Sequence, residues 1–232
     1  MFHHVLVHAS EHPALALGQA WPGLLSPREV AKLAELAWLP RRRKWLLGRV
    51  AAKRLVRGMD GMSALSDSDI SVRNRPSGEP YVFLAERGEW EFAISLSHRS
   101  EIGMAAAPTL PGVRIGADLE TIEPRDLALV RQFFTDDEAT LVAAGGAARD
   151  EVVARIWSAK EAVLKLLGLG LRLDTRTIEV SLVGPSCAGC PAGWQPIEAK
   201  LLAASTAADA PSPMRVVWRR EGEYVLTVAL GG

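Results

Sequence analysis

The chain has 232 residues, 48% of them hydrophobic and 23% charged, enough for one large globular domain or two small ones. Its 27 basic and 27 acidic residues cancel, which argues against general nucleic-acid binding. No apolar run is long enough to span a membrane, and the start Met1-Phe2-His3-His4-Val5 lacks the features of a signal peptide, so the expected location is the cytoplasm.

In chain order, residues 5–8 open with a candidate strand. Ser26, Pro27 and Glu29 then form a helix start, with Ser as N-cap, Pro at the first helical position and Glu at the capping-box position. That helix is expected to run to about Trp38, before Pro40. Arg41, Arg42, Arg43 and Lys44 lead into a second helix over 45–56, with apolar residues at 46, 47, 50 and 55 and cations at 49, 53 and 54. Four cations at a helix N-terminus oppose the helix dipole. An anionic partner would relieve that conflict; the plain alternative is a solvated basic turn. Residues 69–73 read as a strand and 74–81 as a turn-rich loop. Residues 92–107 read as strand, polar turn, strand, with Ser97 and His98 adjacent. Neighbours on a strand point to opposite faces, so this pair is not a nucleophile and its base. Pro108, Pro111 and Gly112 mark an internal boundary, giving halves 1–112 and 113–232.

The second half opens with a strand over 113–120, on which Asp118 and Glu120 share a face. Two adjacent carboxylates repel unless a cation or donor lies between them. A hard cation such as Mg²⁺ suits oxygen donors, with Glu161 a candidate third ligand; the alternative is a solvated strand end. Helices follow over about 126–132 and over 136–144, the latter capped by Thr135 with Glu138 at the capping-box position. The cap is the preferred role of Glu138. A longer helix over about 151–167 ends at Gly168 and Gly170 and stacks Trp157, Glu161 and Lys165 on one face. Alone, Glu161 and Lys165 could be an ordinary i,i+4 pair worth a few tenths of a kcal/mol. Strands are expected at 177–183 and 196–202, with a hairpin of 214–218 and 224–230, while 203–213 reads as loop. Cys187 and Cys190 read as two loop thiols, since a structural zinc would need two further ligands. Strands and helices mix without regular alternation, which gives an α+β class. No residue-level internal repeat is visible.

Two motifs carry a resemblance. Gly116-Ala117-Asp118-Leu119-Glu120 resembles the G-x-D-x-E motif of the Sfp-type 4′-phosphopantetheinyl transferases, and Trp157-Ser158-Ala159-Lys160-Glu161-Ala162-Val163-Leu164-Lys165 resembles their W-x-x-K-E-x-x-x-K motif. Phe134 and Glu138 match a further F-x-x-x-E feature, and Ser97-His98 a Ser-His pair that contacts the coenzyme's phosphates. The loop at 74–81 is similar to one ending in Gly-Lys-Pro or Gly-Arg-Pro, but Glu79 stands where the cation belongs, with Arg75 the possible substitute. The resemblance implies two similar halves about a pseudo-twofold axis, with the active site between them. It implies Mg²⁺-dependent transfer of 4′-phosphopantetheine from coenzyme A to a serine of an apo acyl- or peptidyl-carrier protein. Asp118, Glu120 and Glu161 would hold the metal. Glu161 would act as general base, with Lys165 the other catalytic residue. Arg42, Lys44, Arg49, Ser97, His98, Asp118, Lys160 and Lys165 would contact coenzyme A. The expected partner is the carrier protein, not nucleic acid or membrane, and the expected state is a monomer. The rival reading is a coenzyme A or nucleotide-binding module without transfer activity.

Overall fold

The structure, a computed structural model, describes residues 1–182, 190–202, 211 and 213–232. The chain divides into two units, Phe2–Gly112 and Val113–Gly232, the latter with Met1. Both mix helix and antiparallel sheet, an α+β architecture.

In the N-terminal unit, β1 (Phe2–His8) pairs with β6 (Ile102–Pro108), which pairs with β5 (Ser95–Arg99). β2 (Ile70–Asn74), β3 (Pro80–Leu84) and the short β4 (Gly88–Glu89) form a second sheet. A single helical turn, α1 (Pro13–Ala16), precedes α2 (Pro27–Ala34) and α3 (Leu39–Arg57). α3 lies over β1, β5 and β6, and Leu46, Leu47, Val50, Leu55 and Val56 supply its buried face. α2 begins at the expected capping box, with Ser26 Oγ accepting from Glu29 N, but ends four residues before Trp38. α3 already starts at Leu39, because Pro40 suits a first turn. The four cations therefore lie within the helix. β3 takes over the last two residues of the expected loop and runs on past it: Pro80 is its first residue, a place a strand tolerates. Ser97 and His98 belong to β5, and the turn comes later, at Ser100, with φ of 48°.

The C-terminal unit is a five-stranded antiparallel sheet in the order β7 (Arg114–Thr121), β11 (Tyr224–Gly231), β10 (Met214–Glu221), β9 (Gln195–Leu201), β8 (Ile178–Ser181). After β7 come α4 (Leu127–Phe133), α5 (Asp136–Ala144) and α6 (Arg149–Leu167). α6 packs chiefly on β7 and β11. The approach is close enough to require glycine at 116, where an added Cβ would lie 1.9 Å from the Ala162 carbonyl oxygen and 2.5 Å from the Leu166 nitrogen. Gly168, at φ of 71°, ends α6 in the left-handed conformation that an L side chain resists.

The units repeat one internal device. In the first, Glu29 Oε2 accepts from the N-cap nitrogen of Ser26 (3.0 Å) and from Lys53 Nζ on α3 (2.7 Å), while Oε1 accepts from Val72 N on β2 (3.0 Å). Lys53 also donates to the carbonyls of Asp67 and Ile70. In the second, Glu138 Oε2 accepts from the N-cap nitrogen of Thr135 (2.8 Å) and from Lys160 Nζ on α6 (2.8 Å), while Oε1 accepts from Val180 N on β8 (2.7 Å). Lys160 also donates to the carbonyls of Thr175 and Ile178. Each device clamps a short capped helix, a 19-residue helix and the start of a strand. The repeat is of architecture. It needs only a few matched positions in each unit, which is why no residue-level repeat shows in the sequence.

Gly116→Ala should destabilise the C-terminal unit by about 3 kcal/mol or more, because backbone rather than a flexible side chain has to move. A wild-type urea midpoint for this variant would show that α6 can slide off β7 at little cost.

Candidate active site

The site is best built from β7. Its antiparallel register sets Asp118 opposite Thr227 and Glu120 opposite Val225, and residues two apart share a face. Gly116 on that face meets the α6 backbone, so Asp118 and Glu120 point to the same side as α6. Both are buried, at 4% and 5% exposure. Each is met by a cation of the chain. Lys165 on α6 donates to Asp118 Oδ1 (2.8 Å) and to the Ala117 carbonyl (2.9 Å). Arg125, in the turn before α4, places Nη2 2.8 Å from Glu120 Oε2 and 3.0 Å from Glu123 Oε1. Arg149 Nη2 donates to the Arg125 carbonyl at 3.3 Å, pinning that turn to the start of α6. Glu161 is half-buried on α6, one turn before Lys165.

The sequence singles out both acids and Lys165 but not Arg125. Its signal was slight: one arginine five residues past Glu120, directly after Thr121-Ile122-Glu123-Pro124. Among the described residues, no three His, Cys, Asp or Glu side chains are grouped as a metal centre. The donor chemistry nevertheless fits a hard divalent cation: two buried carboxylates on one strand face, both on cation contacts, with a third carboxylate on the helix packed against that strand.

Lys160 calls for a correction. It is fully buried, and the three donors of its ammonium go to Glu138 and the two carbonyls of Thr175 and Ile178. Nothing remains to offer a phosphate. Burial pushes its pKa down, while Glu138 opposes that shift. Glu138 fills its expected cap and, in addition, neutralises Lys160. Trp157 is part of the core margin, its ring 5.2 Å from that of Phe133.

In the N-terminal unit, Arg42 donates to the carbonyls of Gly18 (3.0 Å) and Leu36 (3.2 Å), closing the end of α2. Arg49 is buried over the Trp45 ring, donates to the Val72 carbonyl at 3.3 Å and lies 3.8 Å from Glu29. Burial lowers its pKa to about 10 against the pull of Glu29. Lys44 is half-buried, with no hydrogen bond or ion pair among the described residues. Ser97 is buried and His98 exposed, on opposite faces of β5. Arg75 stacks over Tyr81 and pairs with Glu79 and Glu89, so it is tied to its own loop. Cys190 is disulfide-bonded rather than a free thiol, and Cys187 lies outside the described residues.

Lys160→Met should cost about 3–5 kcal/mol, the usual penalty for stranding a buried charge, here that of Glu138. The double change with Glu138→Gln should recover part of that loss. A Lys160→Met protein of unchanged stability but weakened coenzyme A binding would restore the phosphate role.

Residues 114–204 match the family model described as the 4′-phosphopantetheinyl transferase superfamily. The chain is 33% identical over 130 residues to the 4′-phosphopantetheinyl transferase psf-1 of Bacillus pumilus; the match covers 56% of this chain and 52% of that relative. Two solved structures are also similar. The holo-ACP-synthase of Plasmodium yoelii has 19% identity and a TM-score of 0.34, covering 46% of this chain and 90% of its own. The Helicobacter pylori holo-[acyl-carrier-protein] synthase in complex with coenzyme A has 16% identity and a TM-score of 0.37, covering 47% and 98%. The segment that carries β7, α6 and their acids is thus similar to the 4′-phosphopantetheinyl transferase superfamily, and the chain spans about half the length of the curated relative it matches.

Proposed function

We propose that the protein transfers the 4′-phosphopantetheine group of coenzyme A to a serine hydroxyl of an apo acyl- or peptidyl-carrier protein, releasing adenosine 3′,5′-bisphosphate. The match of residues 114–204 to the superfamily model and the likeness to the Bacillus pumilus transferase support the reaction class. The observation that carries the site is the placement of Asp118 and Glu120 on the α6 side of β7, with Lys165 already on Asp118. In this reading Asp118, Glu120 and Glu161 hold a Mg²⁺ ion. When bound, the ion would neutralise charge on the diphosphate oxygens around the attacked phosphorus.

The remaining chemistry belongs to the chain's own residues. Glu161 takes the proton of the carrier serine, directly or through a water. The serine oxygen forms a bond to the β-phosphorus of coenzyme A, and the phosphorus–oxygen bond to the adenosine bisphosphate breaks in line. A carboxylate that also holds a cation is a weak base, so positioning and electrostatics supply most of the rate. Lys165 reaches from Asp118 towards a phosphate oxygen as a compact point charge. Of the three N-terminal cations, Lys44 suits a phosphate best, because Arg42 and Arg49 are engaged with carbonyls of their own unit. Ser97 and His98 are proposed as further contacts to the coenzyme.

Incubation with apo-carrier, coenzyme A and Mg²⁺, followed by intact-mass analysis, tests the reading. The carrier should gain one phosphopantetheine group, and chelation of the metal should stop the gain. Glu161→Gln should lower the rate by roughly 10²–10⁴ from loss of the general base, with the fold retained. Coenzyme A that binds without any transfer, at any metal concentration, would instead favour a binding module. Lys165→Ala should raise the KM for coenzyme A as well as slow turnover, unlike a change confined to the base.

A further inference from the structure

Arg125 touches two carboxylates of different standing. Glu120 is buried, with its side chain 7% exposed, whereas Glu123 is half in solvent at 50%. The guanidinium lies 2.8 Å from the first and 3.0 Å from the second, and is itself 17% exposed. A planar fork with five donors can give up one carboxylate and keep the other without being stranded. Its backbone is fixed independently by Arg149, so the exchange needs only side-chain rotation.

We propose that Arg125 is a built-in counter-ion, which holds Glu120 while no divalent cation is present and passes to Glu123 when one takes Glu120. The inference rests on the reading that Glu120 is a metal ligand. Charge bookkeeping gives it a sign. Asp118, Glu120 and Glu161 carry three negative charges when ionised, and Lys165 and Arg125 supply two positive ones beside them. Removing the arginine leaves the acids less compensated and takes one competing cation off Glu120. The divalent cation should then bind more tightly. Removing Glu123 does the reverse, because the arginine loses its second partner and stays on Glu120.

Mn²⁺, which accepts the same oxygen donors, is the probe. Free Mn²⁺ is counted by electron paramagnetic resonance during titration of wild type, Arg125→Gln, Arg125→Lys, Glu123→Gln and the double variant, with circular dichroism confirming each fold. Arg125→Gln should bind Mn²⁺ about fivefold to tenfold more tightly, as expected when one like charge is removed from a partly buried site. Arg125→Lys should stay near wild type, and Glu123→Gln should bind more weakly. In the double variant the effect of Glu123→Gln should vanish, since it acts through the arginine. If wild type binds Mn²⁺ and Arg125→Gln binds it equally or more weakly, the exchange is overturned and the metal reading stands. If neither protein binds Mn²⁺, the metal reading falls and the exchange falls with it.

Discussion

A carboxylate and an ammonium shut away from water set the geometry of each unit. The charges of Glu138 and Lys160 are tolerable inside only because every donor of the lysine and both oxygens of the glutamate are used. That requirement fixes more than a pair. It holds the start of α5, the middle of α6 and the first residues of β8 in one arrangement, since moving any of them would leave a charge or a peptide group without a partner. It also fixes the rotation of α6. At about 100° per residue, an inward Lys160 turns Glu161 and Lys165 to a neighbouring flank of the helix, close to each other and away from the anchor. Gly116 then sets how near that flank comes to β7.

The acids on β7 answer to the same electrostatics with a different result. Asp118 and Glu120 are as buried as a core residue, yet their cations reach solvent, with Lys165 28% exposed and Arg125 17%. A charge pair with no exposure is a fixture, because neither member can leave without being stranded. A pair with one member at the surface can exchange, because water receives the departing cation. The C-terminal unit thus holds a locked pair and two exchangeable ones on elements that pack together, and the proposed transfer uses only the exchangeable ones.

Much of this was legible in the sequence because its signals are local. Ser26 with Glu29 and Thr135 with Glu138 announced α2 and α5, and alternation along 113–120 placed Asp118 and Glu120 on one face. The failures share a cause. Lys160 sits beside Glu161 in a helix, and nothing within a few residues tells a lysine that turns to Thr175 and Ile178 from one that turns to solvent. The partners of Arg42 and Arg49 were hidden for the same reason: the carbonyls they serve come from other elements. Arg125 went unnoticed because its importance comes from the fold of one turn, not from a periodic pattern. β3 was hidden by Pro80, which reads as a turn until a neighbouring strand claims the residues after it.

The repeated clamp separates what the fold needs from what the chemistry needs. The residue that follows the anchoring lysine lies about a third of a turn around the helix, outside the clamp. In the N-terminal unit that residue is Arg54, exposed and paired with Glu11; in the C-terminal unit it is Glu161, on the helix that carries the site. One scaffold position thus bears opposite charges in the two halves, and each unit folds around its own clamp regardless. A half built on this clamp can therefore change the sign of its surface, and with it the ligands it attracts, without renegotiating its core.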